Sequence, residues 1–252
     1  MAALAARFAL SAEQAGALEQ YVDLLLGWQL GNVTGVRERE AVIEKLLGDS
    51  LALLEVVDGL AGVEETIDEA TGETVSETAG GPVAWADLGS GAGLPGIPLA
   101  VARPAVEVTL IESVGKKCVF LEAAIAAAGL AARVHVVRAR SEAAAAVGAT
   151  LRERFTLVLA RALAPLGTVC ELAAPLLARG GYLVASTTST ALEAERARGE
   201  AAGAACGLAA RGYQPLKRSP LTTSVAAVFE KIAPTPEWLP RRPGLARAKP
   251  LG

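Results

Sequence analysis

From residue 82 onward, short runs rich in β-branched residues alternate with helical stretches, and this alternation predicts an α/β fold on a mainly parallel sheet. Two further observations sharpen the expectation. A glycine-rich turn, DLGSGAGLPGIPLA from Asp87 to Ala100, follows the first run directly. The last two runs have no helix between them, so an antiparallel pair closes the sheet. Together these give seven strands with helices on both faces.

Taken in order, residues 11 to 30 carry Leu18, Tyr21, Val22, Leu25 and Leu26 at helical spacing, and Ser11 with Gln14 forms a capping box. After GNVTG, residues 40 to 57 form a second helical pattern with Ile43, Leu46, Leu47, Leu51 and Leu54 on one side. Residues 58 to 81 are Glu/Thr/Gly-rich and are expected as an exposed loop or loose hairpin. Strands are expected at 83–87, 106–111, 134–137, 155–159, 181–185, 212–217 and 224–232. Helices are expected at 94–102, 116–128, 142–146, 166–178 and 191–206. The organisation is thus an N-terminal helical extension (1–57), an acidic insertion (58–81), a Rossmann-like domain (82–232) and a basic tail (233–252).

Composition narrows the class. Of the 252 residues, 52% are hydrophobic but only 4% aromatic, so the core is expected to consist mainly of Ala, Val and Leu. The apolar runs are too short to span a bilayer and the Ala-rich start soon meets acids, which predicts a cytoplasmic protein with no membrane partner. Cys118, Cys170 and Cys206 are odd in number and unclustered, as expected for reduced buried thiols, and no metal site is expected. The net charge of −3 hides an uneven distribution. Eight acids and no base lie between Glu55 and Glu77, and without them the net charge is +5. The end, PRRPGLARAKPLG, carries Arg241, Arg242, Arg247 and Lys249 without an acid. A basic surface for a nucleic acid is compatible with that pattern, as is a solvated tail.

The glycine loop admits two readings. Gly91, Gly93 and Gly96 have the G-x-G-x-x-G spacing of a dinucleotide turn, while Asp87, Gly89, Gly91 and Gly93 have the D-x-G-x-G-x-G spacing met where S-adenosylmethionine binds. Glu112 ends the second strand 21 residues after Gly91, where a carboxylate takes both ribose hydroxyls of either ligand. Asp87 favours the methyl donor: a carboxylate there meets the cationic amino-acid part but repels a pyrophosphate. The only histidine, His135, lies inside a strand pattern and is read as a core or sheet-face residue. On this reading G-x-G-x-x-G is incidental, Pro95 suits a first helical turn, and Pro98 costs a hydrogen bond or bends the helix.

Four segments, DLGSGAGLPGIPLA, LIESVGKKCVFL, ARALAPL and PRRPGLARAKPL, together with GNVTGVRERE and GDSLALL upstream, resemble the bacterial 16S ribosomal RNA guanine-N7 methyltransferases, the glucose-inhibited division protein B family. The resemblance runs from about residue 20 to the end, apart from the acidic insertion. It implies a class I S-adenosylmethionine-dependent methyltransferase fold acting on 16S rRNA of the small ribosomal subunit, as a monomer. It further implies that Asp87, Gly89, Ser90, Gly91, Gly93, Leu94, Glu112, Ser113, Arg140, Ser141 and Glu142 hold the cofactor. Arg140 and Arg161 match arginines of the family and are expected to be catalytic; Lys116, Lys117, Arg241 and Arg242 are expected to meet RNA. There are two departures: Leu46 stands where the family has a histidine, and Thr187 where it has a lysine. These leave room for a methyltransferase of another substrate, or for a cofactor-binding protein with weakened catalysis. Trp28, Tyr182 and Trp238 are candidate stacking partners for a base, against ordinary core packing. Guanine N7 carries no proton, so its methylation needs no general base. An acceptor at the N1 and amino edge would help most, and none is legible in the sequence.

Overall fold

A computed structural model describes residues 1–60 and 83–252. Between them it gives the antiparallel backbone pairings of Thr66–Ile67 with Thr74–Val75 and of Glu77–Thr78 with Gly81–Pro82. The acidic segment expected as a loop or hairpin otherwise lies outside the described residues.

The core of the molecule is a seven-stranded sheet: β1 (Ala84–Leu88), β2 (Glu107–Glu112), β3 (Val134–Arg138), β4 (Phe155–Arg161), β5 (Leu177–Thr188), β6 (Leu208–Pro215) and β7 (Ser224–Lys231). Their order across the sheet is β6-β7-β5-β4-β1-β2-β3. Strands β1 to β5 run parallel, and β7 is antiparallel to both β5 and β6. The chain moves outward from β1 to β2 and β3, then returns to place β4 on the other side of β1. That reversal leaves a crevice at the carboxyl ends of β1 and β4, where open α/β sheets bind their ligands.

Alternation along β1 explains the two buried faces. Trp85 joins the core on one side, while Ala84, Ala86 and Leu88 join the other. The first face is covered by α1 (Ala2–Phe8), α2 (Ala12–Gly27), α3 (residues 39–57), α4 (Gly96–Ala102) and α5 (Gly115–Ala127). The second is covered by α6 (Ser141–Ala144), α7 (Leu166–Ala173) and α8 (Ser189–Ala205). The N-terminal helices are therefore part of one layer: Leu18, Tyr21 and Val22 share a core with Trp85, Leu110 and Phe120. The expected cap on α2 is present in both directions, with Ser11 Oγ accepting from Gln14 N at 3.1 Å and Gln14 Oε1 from Ser11 N at 2.8 Å.

Two elements differ from expectation. Helix α3 is not one continuous α-helix: Arg39–Ala41 is α-helical, Val42–Gly48 is a π-helix, and Asp49–Leu51 and Leu54–Val57 are α-helical again. The wider turn keeps the same apolar residues inward, which is why spacing did not reveal it. The residues expected as a basic tail instead form a strap across the second face, with Leu239 and Ala246 buried and a short helix α9 (Leu245–Ala248). Its anchor is Arg241, whose Nε and Nη2 reach the two Glu171 oxygens at 2.6 and 2.5 Å.

Candidate active site

The Gly-rich turn runs from β1 into α4, and its glycines have separate tasks. Gly89, Gly91 and Gly93 have φ of 73, 59 and 87°, the left-handed region that glycine enters without strain. A Cβ on Gly91 would find only Gly89 O, at 3.8 Å, so no side chain packs against that position. A Cβ on Gly96 would lie 2.5 Å from Leu110 Cδ2 and 2.7 Å from Asp87 Oδ2. Gly96 is thus required for close helix–strand packing, and the G-x-G-x-x-G spacing is not incidental. Pro98 is the third residue of α4, within the first turn, where an N–H has no partner inside the helix, so the expected loss does not arise. The turn is held from outside by Tyr21, whose hydroxyl donates to Ala92 O at 2.8 Å; the sequence offered no sign of this beyond helical spacing.

Two carboxylates organise the turn. Asp87 is buried, and its Oδ2 accepts from Gly96 N at 3.1 Å while Oδ1 has no hydrogen-bond partner. Burial pushes its pKa up to about 7, against the opposing pull of the Gly96 N–H. Glu112 accepts from Gly91 N at 3.0 Å and Val114 N at 2.8 Å, so it ties the turn to the end of β2.

Beside these lies a cavity of about 350 Å³ lined by Gly89, Glu112, Ser113, Lys117, Arg140, Ser141 and Glu142, seven of the residues expected from sequence, drawn from the carboxyl ends of β1, β2 and β3 and the segments that follow them. Ser90 is buried, donating to Asp87 O at 2.9 Å, and Gly93 faces Ile97 and Leu121. Leu94 packs against the core, and Lys116 is exposed on the first turn of α5. The sequence did not foresee that Gly244, Ala246 and Arg247 of the strap also line this cavity. Gly244 N donates to Glu142 Oε1 at 2.7 Å, and Arg247 Nη2 to Leu163 O at 2.8 Å. Arg242 is exposed, whereas Arg241 is engaged with Glu171 and Lys249 O. Arg241 therefore does not present the free cation expected of it.

A second cavity, of about 280 Å³, opens at the ends of β4 and β5, and shares Ala162 and Leu163 with the first. Ala162 has a φ of 51°, a strained conformation for a residue with a Cβ and one that clusters at functional sites. Arg161 and Asp49 meet here at 2.8 Å. The guanidinium also donates to Lys45 O at 3.1 Å, and to Leu46 O and Ser50 Oγ at 3.3 Å, so the π-helical part of α3 grips it. Of the two departures from the family, Thr187 lines this cavity and Leu46 reaches Arg161 through its carbonyl. Trp28 packs edge-on against Phe120 at 5.2 Å, Tyr182 packs against the core, and Trp238 is exposed. His135 lies exposed on the edge strand β3, on a sheet face as expected and outside the core. Among the described residues no His, Cys, Asp or Glu side chains gather as metal ligands, and no helix is long and apolar enough to cross a membrane.

Sheet order, switch-point crevice and the acid-glycine turn define a class I S-adenosylmethionine-dependent methyltransferase. The residues present fit that cofactor: the buried Asp87 Oδ1 lacks a partner that a cation would supply, and Gly91 leaves space against the backbone. Comparison with known proteins makes the assignment narrower. A family model described as rRNA small subunit methyltransferase G (GidB) matches residues 67–208. Ribosomal RNA small subunit methyltransferase G of Rubrobacter xylanophilus is 38% identical over 245 residues, 96% of this chain and 85% of that one. The protein of the same description from Desulfitobacterium hafniense is 34% identical over 96% of this chain and 91% of its own length. The chain belongs to the GidB family.

Proposed function

We propose that this protein methylates N7 of a guanine in 16S rRNA of the small ribosomal subunit. The observation that carries the reading is the pair of adjoining cavities at the ends of β1–β5. One is lined by six of the residues expected to hold the methyl donor, and the other is large enough for a purine and bounded by the strained Ala162–Leu163 step. Asp87 would hold the cationic amino-acid end of the cofactor, Glu112 the ribose, and Arg140, Ser141 and Glu142 the adenine side. S-adenosylmethionine, when bound, supplies a methyl group from its sulfonium; the sulfur keeps the bonding electron pair, and the purine nitrogen forms the new bond with its own lone pair.

No proton leaves N7, so the side chains here have positioning and charge stabilisation as their work. Arg161, fixed by four contacts, supports the target base. The target base must leave its stack to enter the second cavity. Lys116, Lys117 and Arg242 supply cations for the RNA backbone. The protein is proposed to act in the cytoplasm, as a monomer.

The test is incubation with labelled S-adenosylmethionine and small subunits or naked rRNA from cells lacking this gene, followed by digestion to nucleosides. Label in 7-methylguanosine is expected. Label in other substrates alone would identify a different methyltransferase, and cofactor binding by calorimetry without any transfer would identify a weakened one.

A further inference from the structure

The second cavity has a polar floor whose hydrogen-bond directions are fixed. Asp49 is buried, with Oδ1 accepting from Ser224 Oγ at 2.5 Å and from Ser219 Oγ at 2.8 Å, and Oδ2 facing Arg161 Nη2 at 2.8 Å. A carboxylate paired with a guanidinium only accepts, so each serine gives its single hydrogen to Asp49. Ser224 lines the cavity and is left presenting lone pairs to it. Asp49 also lines the cavity, and Oδ2 keeps one lone pair beyond its contact with Arg161. The contacts of Arg161 lie on its two terminal nitrogens, which leaves Nε–H as the remaining donor. In order, the floor offers donor, acceptor, acceptor.

We infer that Arg161, Asp49 and Ser224 select guanine by reading its Watson–Crick edge. That edge offers O6 as acceptor, then N1–H and the N2 amino group as donors, the complement of the floor. Adenine reverses the first two and lacks the third. Flipped bases are commonly read in this way. The arrangement also serves the reaction. Methylation leaves positive charge on the purine and makes N1–H more acidic, so an acceptor held at N1 binds the transition state more strongly than the substrate. The inference rests on the guanine-methylation reading.

The test places guanosine or inosine, which lacks the N2 amino group, at the methylated position of ligated small-subunit rRNA assembled with subunit proteins. Removing one buried hydrogen bond costs about tenfold in rate. Wild-type enzyme is expected to use guanosine about tenfold better than inosine in kcat/KM, from that same lost hydrogen bond. Ser224→Ala is expected to remove most of that preference, slowing guanosine about tenfold more than inosine, which it slows only through the hydrogen bond that Asp49 loses. Asp49→Asn is expected to lower kcat/KM on guanosine by about a hundredfold, since a charged acceptor is lost, with the Kd for S-adenosylmethionine unchanged. If that variant fails to fold, the serine–inosine comparison decides alone. Equal slowing of both RNAs by Ser224→Ala, no slowing at all, or no wild-type preference for guanosine would overturn the inference while leaving guanine methylation standing. No transfer by wild type to any guanosine would overturn both.

Discussion

Asp87 has one carboxylate oxygen on the Gly96 N–H and the other without a partner, and burial holds its pKa at about 7. The folded value lies above that of an exposed carboxylate. Between about pH 4 and about pH 7 the folded protein therefore keeps a proton that the unfolded chain releases, and stability falls as pH rises through that window. A cofactor ammonium beside Oδ1 favours the ionised form, so affinity should rise with pH up to about 7 and level off above. Asp87→Asn removes the buried charge. Its cofactor-free Tm should exceed wild type at pH 8 and match it at pH 5, while its S-adenosylmethionine affinity is lower and independent of pH. Melting curves and calorimetry at both pH values check this. The glycines separate packing from binding in the same way. Gly91→Ala meets no protein atom closer than 3.8 Å, so it should fold at a cost of about 1–2 kcal/mol for its left-handed backbone and still lose cofactor affinity. Gly96→Ala drives a methyl group into Leu110 and Asp87 and should destabilise the fold itself, visible as a larger fall in Tm.

At the scale of elements, the C-terminal strap matters most. Arg241 holds it to Glu171, which is 2% exposed, and Gly244, Ala246 and Arg247 then wall the cofactor cavity. Truncating Arg241 leaves a buried carboxylate uncompensated, a loss of about 3–5 kcal/mol. Arg241→Ala should lower both the denaturation midpoint and the affinity for S-adenosylmethionine, the second because Glu142 loses the Gly244 N–H that fixes it. Arg242→Glu, one residue on and exposed, should leave both unchanged. The π-helical part of α3 and the α-helical turn after it have a comparable task on the other side: they place Lys45 O, Leu46 O and Asp49 around one guanidinium.

Across the whole molecule, a net charge of −3 conceals a chain that is basic outside one acidic segment. Engagement of RNA should therefore weaken steeply with salt, and Arg242→Glu should reduce that slope and the affinity together, as read by filter binding at several salt concentrations. What the sequence made legible follows from range. Asp87, the glycines and Glu112 sit on one turn and one neighbouring strand end, where spacing alone carries geometry. The strand–helix alternation likewise predicted the sheet and its antiparallel close. Asp49 and Ser224 are 175 residues apart, and no local pattern links them. The strap was hidden by its composition, since a Pro/Arg/Gly segment reads as a solvated tail unless its partners, the buried Glu171 and the half-buried Glu142, are known. The π-helix was hidden because Ile43 and Leu47, four residues apart, share a face in either kind of turn.

The most direct measurement of the central claim compares small-subunit rRNA from cells with the gene deleted, cells carrying it, and cells carrying Gly91→Val. Borohydride and aniline cut RNA chains at 7-methylguanosine. One cut in 16S rRNA, present with the intact gene and absent from the other two, is the predicted result. Identical cutting in all three would contradict it.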